Sequence, residues 1–334
     1  MLSDHYDGKS FFNPGEGSAK NISLLNLIKW KVFDRGESWP TYIENKVKPT
    51  LPRSVQEGEV FITLINHATE LIQLADLNLL TDPIFSNRAS PFSWIGPKRV
   101  RAPALTISEL PKIDIILLSH NHYDHMDIAS LKAIEAKDKP LFIVPLGNAA
   151  LLKKKEIASV IELDWWDEYP LGEKKRILMT PAKHWSGRGL FDRRRSLWAS
   201  YLIFGDDLTI FFAGDSGYAD HFKEIQNRCG TIHVALLPIG ACQPRWFMQE
   251  SHMDPSEAMQ AFLDLKSDLG LGMHYDTFPL ANESISTCLD MLNASIKQLP
   301  LSKMKSFEPQ ISGKTIRYTK RSPIIPSNLR EYFK

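Results

Sequence analysis

A layered α/β body, with strands and helices mixed along one chain, is the fold class this sequence predicts, and three observations predict it. From residue 59 onward short apolar runs succeed one another, at 60–65, 71–74, 77–80, 113–118, 141–144, 177–179, 201–204, 210–212 and 234–237. Turn residues or polar clusters separate most of them, which is the pattern of strands. Helical stretches lie among and after them, at 128–136, 147–155, 255–265 and 283–298. Finally, four apolar stretches run straight into histidine or aspartate, as strands do when they hold a site at their ends. Helices interleaved with strands bury their apolar stripes on sheet faces, hence layers.

Taken in order, residues 1–55 read as an N-terminal extension packing on the body, and 56–334 as the body itself. Pro14, Gly15, Gly17, Pro40, Pro49 and Pro52 punctuate the extension. Between them Ile22, Leu24, Leu25, Leu27, Ile28, Trp30, Val32 and Phe33 partly follow helical spacing. Packing on the body is the expectation for this stretch; a membrane-surface helix anchored by Trp30 is the alternative. The helix at 255–265 has the clearest start: Asp254 caps, Pro255 takes the first helical position, and Glu257 completes a capping box.

Hydrophobic residues make up 43% of the 334 and charged residues 24%, enough to bury a core. With 40 basic against 39 acidic side chains, the +1 charge lacks the basic footprint of a nucleic-acid binder. Cys229, Cys242 and Cys288 are too few and too scattered for a disulfide framework or a thiolate zinc finger, so free thiols in a reducing cytosol are expected. The N-terminus lacks a charged region leading into an apolar one, and no stretch approaches 18 apolar residues. A cytoplasmic protein, with contact to a membrane surface left open, is the expectation.

The chemistry concentrates in Ser119-His120-Asn121-His122-Tyr123-Asp124-His125, on the loop leaving the run at 113–118. Three histidines and a carboxylate within six residues exceed the needs of a cap or a core. In a tight loop they can point at two adjacent metals, and donors without thiolate suit zinc, with iron, manganese or cobalt as alternatives. Other ligands must come from elsewhere, and His184, Asp215 and His274 each close an apolar run in the same manner. Gly214 lets the backbone approach closely beside Asp215. His67 and Asp82 follow early strands and can orient ligands. His252 and Arg188 are candidates for the substrate, as is the basic run Arg193-Arg194-Arg195 for phosphate or anionic lipid. Trp165, Trp166, Trp246 and Phe247 are candidates for an acyl path, with ordinary core packing as the alternative. No G-x-S-x-G elbow is present, and no cysteine sits in a recognisable catalytic setting.

HNHYDH followed by His184, Asp215 and His274 resembles the ligand series of the metallo-β-lactamase superfamily. LLTDPIFSNRASP (79–91), IELDWWDE (161–168), HWSGRG (184–189), FFAGDSGY (211–218), PIGACQPRWFM (238–248) and HYDTFPLANE (274–283) are similar to its N-acyl-phosphatidylethanolamine-hydrolysing phospholipase D branch, in bacterial form. The resemblance spans most of residues 60–285. It implies an αβ/βα sandwich of two packed sheets with outer helices, and two zinc ions per chain. By that resemblance His120, His122 and His184 bind one ion, Asp124, His125 and His274 the other, and Asp215 bridges them. It further implies direct attack of a metal-activated hydroxide on a phospholipid, with Asp124 and Asp215 at the reacting centre and Tyr275 near the substrate. Some branch members dimerise, so a homodimer is left open. Two alternatives also stay open: a zinc hydrolase of another ester, such as a small phosphodiester or lactone, and a non-catalytic lipid-binding member.

Overall fold

The computed structural model describes residues 3–13, 15–16, 36–298 and 307–320. Its first sheet starts as a meander: β1 (Glu59–Asn66), β2 (Thr69–Leu74) and β3 (Leu77–Thr81) pair antiparallel. β4 (Ile115–Leu117), β5 (Leu141–Pro145) and β6 (Val160–Leu163) then add in parallel beyond β3. The second sheet repeats the scheme. β7 (Glu168–Pro170), β8 (Arg176–Thr180), β9 (Ser200–Gly205) and β10 (Leu208–Phe212) pair antiparallel. β11 (Val234–Pro238), β12 (Leu269–Met273) and β13 (Phe307–Pro309) continue in parallel. β14 (Thr315–Thr319) returns to the first sheet, antiparallel to β1. The orders are β14-β1-β2-β3-β4-β5-β6 and β13-β12-β11-β10-β9-β8-β7.

Alternation along each strand decides which side chain serves which layer. Ile115, Leu117 and Ile143 face one core with Met179, Tyr201, Phe211 and Leu236 of the second sheet. Their neighbours Ile116, Leu118, Phe142 and Val144 face a second core under α1 (Ile128–Asp138) and α2 (Ala149–Lys154), through Leu131, Ile134 and Leu152. Strands buried on both faces read as unbroken apolar runs, which is why 113–118 and 141–144 stood out. α3 (His221–Cys229), α4 (Arg245–Met248), α5 (Pro255–Asp264) and α6 (Thr287–Ile296) complete the helices among the described residues. α5 starts as expected: Asp254 accepts from Ser256 N and Glu257 N, and the Glu257 side chain returns to the Asp254 backbone. The expected sandwich of two sheets with flanking helices is the observed architecture.

The described parts of residues 3–55 lie against this body. Phe11 N donates to Arg194 O at 2.8 Å, Ile43 N to Val100 O at 2.6 Å, and Trp39 Nε1 to Glu283 O at 2.8 Å. The apolar stretch 22–33 lies outside the described residues. Cys242 and Cys288 are buried free thiols with Sγ atoms 4.0 Å apart, and Cys229 is half-buried. No described helix is long and apolar enough to cross a membrane.

Candidate metal centre

Parallel strands offer their carboxyl ends to a common crevice, and here both sheets do so toward one point. β3 leads into Asp82, β4 into Ser119–His125, β10 into Asp215 and β12 into His274. A register shift between Leu64 and Asn66 ends β1 and sets His67 at the turn. Three of these residues have left-handed backbones, with φ of 51° at His67, 35° at Asp82 and 63° at His274. Non-glycine residues hold such angles only where the surroundings compel them, typically at functional sites. Gly214 (φ 57°) is compelled to be glycine, because a Cβ there would stand 2.4 Å from Ser119 Cβ.

Two groups of donor atoms result. His120 Nε2 lies 2.8 Å from His122 Nδ1, and His184 Nε2 lies 3.2 Å from the same atom. In the second group His125 Nε2 lies 3.1 Å from His274 Nε2 and 3.3 Å from Asp124 Oδ2. Asp215 stands between them. Its Oδ2 is 3.2 Å from His125 Nε2, 3.6 Å from His184 Nε2 and 3.9 Å from His120 Nε2, while Oδ1 is 3.0 Å from His274 Nε2. Sequence places these seven residues on four separate segments, and the structure brings all seven together.

The outer contacts fix which ring nitrogen faces inward. Ser119 Oγ donates to Asp82 Oδ2 at 2.6 Å, so it accepts from His120 Nδ1 at 2.8 Å. His125 Nδ1 donates to Asp82 Oδ2 at 2.7 Å, and His184 Nδ1 donates to the Ser251 carbonyl at 2.8 Å. With the outer nitrogen protonated, a neutral ring presents a bare Nε2 inward. Burial holds His120 and His184 well below the ordinary histidine range and His122 near 3, so this trio is neutral. Burial also opposes charge on His125 and His274. The Asp215 and Asp124 carboxylates outweigh it, raising His125 well above its ordinary value and His274 to about 9. Burial likewise works against the carboxylates of Asp124 and Asp215, yet His125 prevails on the first, and His125 with His274 on the second, leaving both far below the usual range. In the first group, buried neutral imidazoles with lone pairs converging within hydrogen-bond distance lack the protons to satisfy one another; in the second, the buried carboxylates of Asp124 and Asp215 draw positive charge onto His125 and His274. A divalent cation answers both needs, accepting the bare lone pairs of the first group and supplying the positive charge the second group's carboxylates demand, so the residues fit metal ions.

The remaining expected residues divide. His67 Nε2 lies 3.1 Å from Asp124 Oδ2, and burial lowers its pKa to about 3. Asp82 grips His125 and, through Ser119, His120. His252 faces the centre with Nδ1 at 3.9 Å from Asp215 Oδ2, buried and without a hydrogen-bond partner. Arg188 is spent differently than expected. Its Nη1 donates to Asn121 O at 2.9 Å and Met126 O at 2.8 Å, and its guanidinium stacks on Tyr123 at 4.0 Å, so it braces the histidine loop. Tyr275 is a correction: the side chain is buried in the core and its hydroxyl donates to the Gln310 carbonyl, which takes it away from the substrate. Trp165 also proves a core residue, its Nε1 donating to Trp198 O at 2.7 Å. Sequence reading missed Asn13, whose Oδ1 accepts from His184 N at 2.9 Å and Trp198 Nε1 at 3.0 Å. Nothing local marks it, since 171 residues separate it from His184.

A two-sheet sandwich carrying a histidine–aspartate metal centre at its strand ends is the frame of a metal-dependent hydrolase. Residues 77–275 match the family described as the Beta-lactamase superfamily domain, and the chain belongs to that family. Among curated relatives, a Saccharomyces cerevisiae mitochondrial N-acyl-phosphatidylethanolamine-hydrolyzing phospholipase D is 38% identical over 264 residues, 75% of this chain and 56% of that protein. The Caenorhabditis elegans N-acyl-phosphatidylethanolamine-hydrolyzing phospholipase D 1 is 35% identical over 234 residues, 67% of this chain and 66% of that protein. The chain thus spans less than two thirds of either relative. A metallo hydrolase from Ignicoccus hospitalis has a similar fold, with a TM-score of 0.58 at 20% identity over 78% of this chain and 98% of that one.

Proposed function

We propose that the chain is a two-zinc phosphodiesterase that hydrolyses N-acylphosphatidylethanolamine to N-acylethanolamine and phosphatidic acid. The observation that carries the metal chemistry is Asp215 lying between two complete donor groups. The substrate rests on the similarity to the yeast and worm phospholipases. His120, His122 and His184 would hold one ion, and Asp124, His125 and His274 the other, with Asp215 shared. Bound there, a metal pair acidifies water to supply hydroxide near neutral pH and offsets charge developing on phosphorus. The chain's own residues do the rest. Asp82, Ser119 and the Ser251 carbonyl keep the outer ring protons in place, so the inward nitrogens stay fixed. Burial holds His252 neutral, near 4, although Asp215 pulls the other way, and its Nδ1 can hold a proton or place a substrate oxygen above Asp215. No side-chain nucleophile is required, so hydrolysis is direct.

The test is metal analysis of the purified chain with a release assay on detergent-dispersed N-acylphosphatidylethanolamine, with His184→Ala as control. Close to two zinc ions per chain, and release lost in the variant, is the expected result. Two metals without release remove the substrate and leave the hydrolase, to be tried on small phosphodiesters and lactones. Failure to bind metal after zinc reconstitution sinks both.

A further inference from the structure

Two loops beside the metal centre carry large apolar side chains outward. Phe92, Trp94 and Ile95 are 53%, 72% and 51% exposed, and Leu190 and Phe191 are 91% and 86% exposed. Exposed apolar groups so concentrated are unusual on a soluble surface and mark an interaction site. Both tips stand on fixed necks. In the first, Ala89 N donates to Pro97 O at 3.0 Å, Arg99 N to Asn87 O at 2.9 Å, and Arg88 Nη1 to Gly96 O at 2.5 Å. Gly96, at φ 100°, lets the neck close, since a Cβ there would meet Ser90 Cβ at 2.7 Å. In the second, the Asp192 carboxylate accepts from Arg188 N and Gly189 N, which ties the loop beneath Leu190 and Phe191.

Both loops line one groove of about 560 Å³, the first through Phe92 and its neighbours and the second through Arg188 at the base of its tip, together with Tyr123, Leu151 and Lys155. Tyr123 lies within the histidine loop, so the groove adjoins the metal centre. Its lining is basic, with Arg88, Lys155 and Arg188 against the one acid Asp127. Lys155 and its chain neighbours Lys153 and Lys154 are exposed, as is Lys98 opposite Arg88, and none of these lysines forms an ion pair with a described acidic residue. The nearby acids are engaged: Asp127 accepts from Ser86 N and Ser130 Oγ, Asp192 holds its loop, and Glu156 pairs with Lys132.

We infer that the tips 92–95 and 190–191 dock this protein on an anionic phospholipid surface, inserting Phe92, Trp94, Ile95, Leu190 and Phe191 while the lysine rim meets the headgroups. Tryptophan and phenylalanine suit the boundary between headgroup and chain, and unpaired lysines gain from negative surface potential. The inference deepens the phospholipid reading and rests on it for purpose, but its test needs no turnover.

The metal-loaded full chain is sedimented with vesicles of phosphatidylcholine containing phosphatidylglycerol, and with phosphatidylcholine alone. Wild type should partition to the anionic vesicles, and less so in high salt. Trp94→Ser with Phe191→Ser should lower that partition roughly tenfold or more. Lys98→Glu with Lys155→Glu should lower it on anionic vesicles and leave the neutral ones unaffected. Metal content and unfolding temperature equal to wild type show that the variants are folded. Wild-type-like partition in the apolar variant overturns the inference. So does a wild-type dimer that the apolar variant converts to monomer while vesicle binding persists, because the tips would then meet a second copy. Vesicle binding without N-acylethanolamine release keeps the docking face and removes the proposed substrate. Release from detergent without vesicle binding does the reverse.

Discussion

Asp82 shows how much a residue outside the donor set can govern. One oxygen receives Ser119 N at 2.7 Å, and the other receives both Ser119 Oγ and His125 Nδ1. Burial pushes its carboxyl up, and His125 and Ser119 pull it back. Removing it frees two imidazoles to turn and takes the acceptor from three buried donors. Asp82→Ala should therefore weaken metal binding by about 10- to 100-fold, read by competition with a chelator. A change under about twofold would mean the rings are fixed by packing alone. His252 is the converse case. It holds nothing in place, so His252→Ala should keep its metals and lose turnover.

At the scale of elements, the close approach of β10 to β4 depends on Gly214. Gly214→Ala adds a Cβ against Ser119 and strains a left-handed backbone, at a cost of about 2–4 kcal/mol. Because Ser119 and Asp215 move with it, metal content should fall along with the unfolding temperature; an unchanged metal content would contradict the packing argument. α5 gives a milder test. Asp254 satisfies two of the orphan amides at its first turn, so Asp254→Ala should cost about 1 kcal/mol in denaturant unfolding. The capping box was legible from Asp254, Pro255 and Glu257 within four consecutive positions. α3 was not, since only His221, Phe222 and Ile225 of its nine residues are buried and its remaining residues are mostly polar or charged.

For the whole molecule the question is how two sheets hold one register. Gln310 joins them: its N donates to Gly272 O at 2.9 Å in the second sheet, and its Nε2 donates to Glu70 Oε2 at 3.1 Å in the first. Burial raises Glu70 to about 8 from 4.5, against the Gln310 hydrogen bond, so the folded state keeps it neutral where the unfolded chain ionises it. The unfolded state then binds fewer protons, and stability falls as pH rises from 4.5 to about 8, then levels off. The slope is at most about 1.4 kcal/mol per pH unit. Glu70→Gln should flatten it and leave the variant more stable than wild type at pH 8. Parallel pH profiles of the two proteins would refute the assignment.

The sequence by itself determined the strand-rich α/β body, the doubly buried strands and the donor residues. Those features write themselves locally, as apolar runs, helical spacing, caps, and ligands placed just past a strand. It did not show which nitrogen of each histidine faces inward, that Arg188 braces the loop, or that Tyr275 turns to Gln310. Nor did it mark Asn13 or Glu70 as partners of residues 171 and 240 positions away. Those outcomes depend on which side chains meet across the two sheets. Hydrogen bonds form between atoms that topology makes neighbours, and one strand's pattern carries no record of its distant partner. The same holds for the apolar tips at 92–95 and 190–191, far apart in the chain, whose loops meet only in the fold, where both line one groove.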